Sequence, residues 1–316
     1  MPDLCYAIDA GRGCLAVEGE EARGFLQGLL TNDVMRISRE RAIYAALLSA
    51  QGRLLHDLFL VEPPAAADKP PGLLLEGEAA RLEDLRKRLT LYKLRAKVAI
   101  RDEREAYSVV LLWGAGALEA LGLQPEPGRA RRFGSGVAFV DPRLPALGVR
   151  AYLPPGEAAG TVEQAGFVAS PLSDYRRLRL SLGVPEGNAD LPAERALPLE
   201  NGFEELHGVD FKKGCYIGQE VTARMKYRAL VKKRLLPVTI RGEAPAPGTP
   251  IMLGGREAGE LRSAEDGRGL ALLRLDLVDE AAGGVPLTAG LAELTPHKPD
   301  WLALQAPPER RDPEAP

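Results

Sequence analysis

The chain reads as mixed α+β with an all-β C-terminal unit, and three observations predict this. Up to Arg234, short apolar strands alternate with segments whose apolar residues recur at helical spacing. From Leu235 the helical stripes stop, and short strands follow at regular intervals between Gly- and Pro-rich turns. The length of 316 residues, 45% hydrophobic and 27% charged, suffices for two or three compact units.

Composition excludes several classes. A net charge of -3 argues against a nucleic-acid binder by bulk charge. The three cysteines, Cys5, Cys14 and Cys215, show no C-x-x-C spacing, which argues against a disulfide framework and for a reducing compartment. His56, His207 and His297 are scattered, so no zinc or di-iron ligand set emerges, and no metal is expected. No apolar run approaches the ~18 residues of a membrane span. Met1-Pro2-Asp3-Leu4 carries no basic or amphipathic leader pattern, so a bacterial cytoplasm is the expected location, with a processed organellar form as the alternative.

In chain order, Leu15–Val17 predicts a strand. Ala22, Phe25, Leu26 and Leu29 form one stripe of a helix ended by the turn Thr31-Asn32-Asp33. Ala42–Leu48 and Leu54–Val61 predict a hairpin around Gly52, and the Pro-rich stretch 62–72 a loop. A strand at Leu73–Leu75 leads to an amphipathic helix with Leu82, Leu85 and Leu89 on one face, then a strand over Lys97–Arg101. Strands follow at Tyr107–Trp113, Val137–Val140 and Gly148–Leu153, with a helix over Gly116–Leu123. The clearest helix is Ser170–Gly183, capped by Ser173 or Asp174 and closed by Gly183 and Pro185. Its stripe is Tyr175, Leu178 and Leu182, with Arg176, Arg177 and Arg179 off it. Arg224–Arg234 is a basic run without an acidic residue, a solvated face or a steering patch for an anion such as a glutamate tail. Five strands, Leu236–Ile240, Pro250–Leu253, Ala258–Ser263, Gly269–Leu275 and Leu291–Leu294, predict a small antiparallel barrel, and the Pro-rich 305–316 a disordered tail.

The most chemically dense stretch is Lys212-Lys213-Gly214-Cys215-Tyr216-Ile217-Gly218-Gln219-Glu220. Two glycines supply backbone freedom around a thiol, and lysines beside a cysteine favour the thiolate, the nucleophilic and metal-binding form. The bland alternative is a structural turn with a buried, inert thiol.

Lys213-Gly214-Cys215-Tyr216, with Gly218-Gln219-Glu220 and then Arg224, resembles the K-G-C-[FY]-x-G-Q-E signature of the YgfZ family. That family comprises folate-binding iron–sulfur maturation proteins related to the glycine-cleavage T-protein, an aminomethyltransferase. The continuation through Lys233-Arg234-Leu235 resembles its mitochondrial or alphaproteobacterial-type branch. The resemblance runs from about Gly13 to about Leu294 and implies a three-part ring around a central folate-sized channel. The implied parts are 1–105, 106–234 carrying the signature and interleaving with the first, and a barrel at 235–304.

By position in the family, Tyr175, Glu186, Glu200, Asn201, Asn32 and Asp57 are the implied folate-binding residues. Cys215, assisted by Lys213, is the implied reactive group at the channel mouth. Departures are visible too. His56 stands where T-proteins carry their catalytic aspartate, Arg12 replaces an aromatic, Asn201 falls one place early, and Val149–Leu153 lacks a Tyr-Thr-Gly folate segment. The implied function is a tetrahydrofolate-binding accessory protein of iron–sulfur cluster assembly or repair. Its partners would be folate and assembly or client proteins. Any cluster would be shared, because one thiol cannot supply about four ligands. Aminomethyl transfer and an RNA-linked binding role are the rivals; His56 speaks against the first and the acidic balance against the second.

Overall fold

The computed structural model describes residues 4–64 and 71–303. The predicted loop at 62–72 falls partly, and the predicted tail wholly, outside the described residues.

Two sheets and a barrel make the fold. The first sheet has five strands in the order Ile43–Leu48, Leu54–Val61, Gly72–Glu78, Arg12–Glu18, Ala99–Asp102. The second has six, in the order Val168–Ala169, Cys5–Ile8, Ser108–Trp113, Val149–Leu153, Gly136–Val140, Ala130–Phe133. Cys5–Ile8 pairs antiparallel with Ser108–Trp113, so the N-terminal strand belongs to the second sheet and the two units interleave.

Period-2 alternation explains how both faces of each sheet are buried. In the hairpin, Ile43, Ala45, Leu47, Leu58 and Leu60 point to a core completed by the helices Ala22–Gln27 and Leu82–Lys93. Tyr44, Ala46 and Phe59 point the other way and meet Val109, Leu111, Phe139 and Tyr152 of the second sheet. The second sheet's outer face, with Val110, Leu112, Val140 and Ala151, is covered by the helices Ala117–Ala120 and Ala158–Gln164. The result is helix, sheet, sheet, helix, the layered way for two amphipathic sheets to share one core.

The C-terminal unit is a closed six-stranded antiparallel barrel. Five of its strands follow the sequence expectation. The sixth, Leu287–Ala289, is three residues long, too short to show alternation, and an unforeseen helix, Leu275–Ala281, precedes it. The helix Leu172–Ser181 joins barrel to sandwich. Its Tyr175 sits in the inter-sheet core, while Leu180 packs with Leu235, Leu270 and Leu272 of the barrel. Two details correct the sequence reading. Pro171 rather than Ser173 or Asp174 holds the N-cap position, with no side-chain cap. Arg179 is buried, donating to Asp190 at 2.5 Å and to the Val184 carbonyl at 2.7 Å.

Candidate functional site

Between the sheets lies a buried charge network that no local pattern announces. Glu76 accepts from Arg12 at 2.7 Å, Arg150 at 2.6 Å and the Tyr152 hydroxyl at 2.8 Å. Arg150 also reaches Asp141 at 3.1 Å, and Arg143 reaches Asp141 at 2.8 Å. Both arginines close on Glu186, Arg143 at 2.9 Å. Arg12 completes the set with Asp57 at 3.4 Å. The Phe59 ring stacks beneath, with the Arg150 and Arg143 guanidinium carbons 3.9 and 4.7 Å from its centroid, a cation–π arrangement that offsets desolvation. Burial opposes the ionisation of Glu186, yet Arg150 and Arg143 outweigh it and hold its carboxyl well below the usual range.

At the edge of this network, against the barrel, a cavity of about 290 Å³ is lined by Asp9, Arg12, Tyr175, Arg176 and Glu186. Arg12 Nη2 is buried and unpartnered among the described residues. Tyr175 offers an aromatic ring, and Glu186 keeps acceptor capacity beyond its two pairs. Burial and then Glu186 push the Asp9 carboxyl up. This set fits one planar ring bearing donors and acceptors, at the lower end of ligand-pocket sizes. It fits the ring part of a folate, not the whole molecule.

The other implied folate residues lie elsewhere. Asp57 is held under Arg12 and does not line the cavity. Glu200 is half-buried, and burial raises its carboxyl above the usual range. Asn201 is buried, with its amide donating to the Leu197 carbonyl at 2.8 Å. Neither lines the cavity. Asn32 is a structural tie. Its amide donates to the carbonyls of Tyr44 and His207, both at 2.7 Å, and its oxygen accepts from Asp33 N at 2.8 Å. His56 is buried, with Nε2 2.9 Å from Asp84 on the neighbouring helix. Because a carboxylate only accepts, the proton sits on Nε2. Burial and Arg81 push His56 to about 4 against the pull of Asp84. At neutral pH it is therefore an uncharged core histidine, unable to stand in for a catalytic carboxylate.

The signature folds into a loop followed by the helix Gln219–Tyr227, which the basic run had concealed. Gly218 is its N-cap, with φ 82°. A Cβ at Gly218 would lie 2.4 Å from the Ser49 carbonyl oxygen, so only glycine allows this approach to the hairpin turn. Gly214 has neither a positive φ nor a close neighbour. Tyr216 is buried, and its amide donates to Gln219 Oε1 at 3.2 Å, while Glu220 and Arg224 are exposed. Lys213, the implied assistant of Cys215, is a clamp in the fold. Its ammonium donates to the carbonyls of Gln27 at 2.8 Å, Leu30 at 2.5 Å and Asn32 at 3.0 Å, which uses all three protons. Burial pushes it down to about 8, against Asp33 and Asp210.

Cys215 is exposed, whereas Cys5 and Cys14 are buried. It lines neither the Tyr175 cavity nor a second, larger one of about 620 Å³ beside Lys212 and Asn32. Sequence reasoning missed Glu76, Asp141, Arg143 and Arg150. The available signal was an ionisable residue inside an apolar strand, as in Leu73-Leu74-Leu75-Glu76 and Val149-Arg150-Ala151.

This architecture defines a protein of the aminomethyltransferase fold. The structure superposes on the glycine cleavage system aminomethyltransferase T from Bartonella henselae with a TM-score of 0.73 and 16% sequence identity, covering 95% of this chain and 86% of that one. Residues 232–304 match the family described as CAF17, C-terminal beta-barrel domain. The chain is 34% identical to the mouse mitochondrial iron–sulfur cluster assembly factor IBA57, over 96% of this chain and 86% of the mouse protein. The human mitochondrial counterpart is 35% identical, over 94% and 85%. The IBA57 homolog of Pyricularia oryzae is 34% identical, over 88% and 74%. The chain belongs to the IBA57 family of iron–sulfur cluster assembly factors, related to YgfZ. The expected bacterial cytoplasmic location does not stand, since these relatives are named as mitochondrial proteins.

Proposed function

We propose that this protein serves iron–sulfur cluster assembly by offering the Cys215 thiolate to a cluster shared with a partner protein. Its working compartment is then the mitochondrion, as in its relatives' names. The carrying observation is the exposure of Cys215 on a loop anchored at both sides, by the Lys213 clamp and the Gly218 turn. A rigid, accessible soft ligand suits transient cluster contact. In the same reading, the small cavity holds the pterin ring of a tetrahydrofolate, with Tyr175 packing on the ring, Glu186 accepting from its N–H groups and Arg12 Nη2 donating. Bound tetrahydrofolate would supply a reduced ring there.

The test is Cys215→Ser in cells lacking the native homologue. The variant should fold normally and fail to support aconitase-type enzymes, because a serine hydroxyl is not appreciably ionised near neutral pH. Full complementation by a stable variant would remove the thiol from the function.

A further inference from the structure

The 620 Å³ cavity has no role in the reading above. Arg36, Arg41, Lys212 and Lys226 contribute four cations to its walls against the carboxylates of Glu204 and Asp210. This local positive excess stands on a chain of net charge -3. Lys226 pairs closely with Glu204 and sits over the Phe211 ring, and the other three cations are weakly engaged. Arg36 reaches Asp210 at 3.4 Å, Arg41 reaches Glu126 at 3.9 Å, and Lys212 has no acidic partner within ion-pair distance among the described residues. Exposed pairs of this kind contribute little, so an incoming carboxylate can replace their partners at small cost.

Apolar surface borders the same place. Phe211 lines the cavity, and Tyr227, 75% exposed, packs edge-on against it with ring centroids 6.3 Å apart. Met35, 54% exposed, precedes Arg36. Exposed aromatic and methionine side chains beside arginines are the composition of a protein-docking surface. Lys212 precedes Cys215 by three residues, which bounds the separation of their backbones to within ~11 Å.

We propose that this cavity docks an acidic peptide segment of the protein that shares the cluster. Its carboxylates are taken by Arg36, Arg41 and Lys212, and an apolar side chain is covered by Phe211 and Tyr227. The identity of the partner as a cluster-sharing protein rests on the Cys215 reading; the affinity for an acidic segment does not. A segment rather than a small anion is implied because the cavity is lined by several cations and exposed apolar side chains, Tyr227 and Met35, adjoin its lining.

The test titrates the full-length protein with an oligoglutamate peptide ending in tryptophan. The readout is the imidazole resonances of His56, His207 and His297, the only three histidines of the chain. His207 lines the cavity, His56 is buried against Asp84, and His297 bonds Thr239 on the barrel. Only His207 should move, and binding should weaken with salt. Lys212→Glu and Arg36→Glu, both at exposed positions, should each weaken affinity by roughly tenfold. Arg228→Glu with Lys232→Glu, outside the cavity, should leave it unchanged. Movement of all three histidines or none, equal loss in the control pair, or equally tight binding of free glutarate would overturn the proposal. Cys215→Ser separates the two readings. It should bind the peptide like wild type. A silent titration, with the serine variant still failing in cells, overturns the docking surface and leaves the thiol. Peptide binding with full complementation by that variant does the opposite.

Discussion

Arg150 and Glu76 meet at 2.6 Å between the two sheets, with neither side chain exposed. Glu76 also takes Arg12 and the Tyr152 hydroxyl, so one carboxylate accepts from two guanidiniums and a phenol. A buried charge of this kind is costly once a partner is removed. Glu76→Gln should therefore lower the unfolding free energy by about 3–5 kcal/mol. Urea denaturation reads this, and a loss below about 1 kcal/mol would mean water or other groups already satisfy the arginines.

Stability should carry a pH signature from His56. The folded side chain titrates near 4, below its ordinary 6.5, because of burial and Arg81. As pH falls through this window the unfolded chain takes up the proton first, so the contribution is complete above 6.5 and is lost towards 4. Between pH 7 and pH 5 the loss should be about 2 kcal/mol. His56→Asn should flatten that slope in denaturation curves measured at both pH values. Parallel slopes for the two proteins would assign the pH dependence to other groups.

The two signature glycines should respond differently. Gly218→Ala forces a side chain into φ 82° and towards the Ser49 carbonyl, 2.4 Å from the new Cβ. Strain alone costs about 1–2 kcal/mol, and the backbone contact adds to it. Gly214→Ala meets nothing within 4 Å and should leave the melting temperature unchanged. Equal effects would show that the loop does not rest on Gly218.

Lys213→Met should loosen the loop without unfolding the protein. The substitution leaves the carbonyls of Gln27, Leu30 and Asn32 without their shared donor. The expected loss is about 2 kcal/mol, since hydrogen bonds to a charged group are partly offset by its desolvation. Hydrogen exchange should quicken at the amides of Ile217 and Asp210, which donate to Gly28 and Thr31 beside the clamp. Unchanged exchange would assign the loop's order to its other contacts.

Tyr175 tests the small cavity. The ring packs on Trp113 at 5.4 Å, so Tyr175→Ala should weaken tetrahydrofolate binding by about 1–3 kcal/mol and also destabilise the fold. Tyr175→Phe keeps the ring and should lose much less of both. Calorimetry that finds equal affinity in wild type and Tyr175→Ala would take the ring out of that site.

Much of the fold was legible because periodicity is a local property. The strands Ile43–Leu48 and Leu54–Val61, the stripe of Leu82, Leu85 and Leu89, and most of the barrel follow from side-chain spacing alone. The T-protein-like architecture was legible through the signature and the residues around it. Where the signal is short or masked it failed: Leu287–Ala289 has three residues, and the helix Gln219–Tyr227 straddles the end of the signature and the start of a run read for its charge.

The sequence by itself determined that Cys215 stands between glycines and next to lysines, and that His56 lies in an apolar strand beside Asp57. Only the tertiary structure decided what those residues meet. Lys213 turns to carbonyls 181 to 186 positions away, Glu76 finds Arg150 at a separation of 74, and Asn32 ties to the backbone of His207 at 175. Hydrogen bonds and ion pairs act over about 3 Å in space, whereas spacing along the chain records only neighbours within a turn or a pleat. Which donor meets which acceptor is therefore fixed when the sheets close on each other.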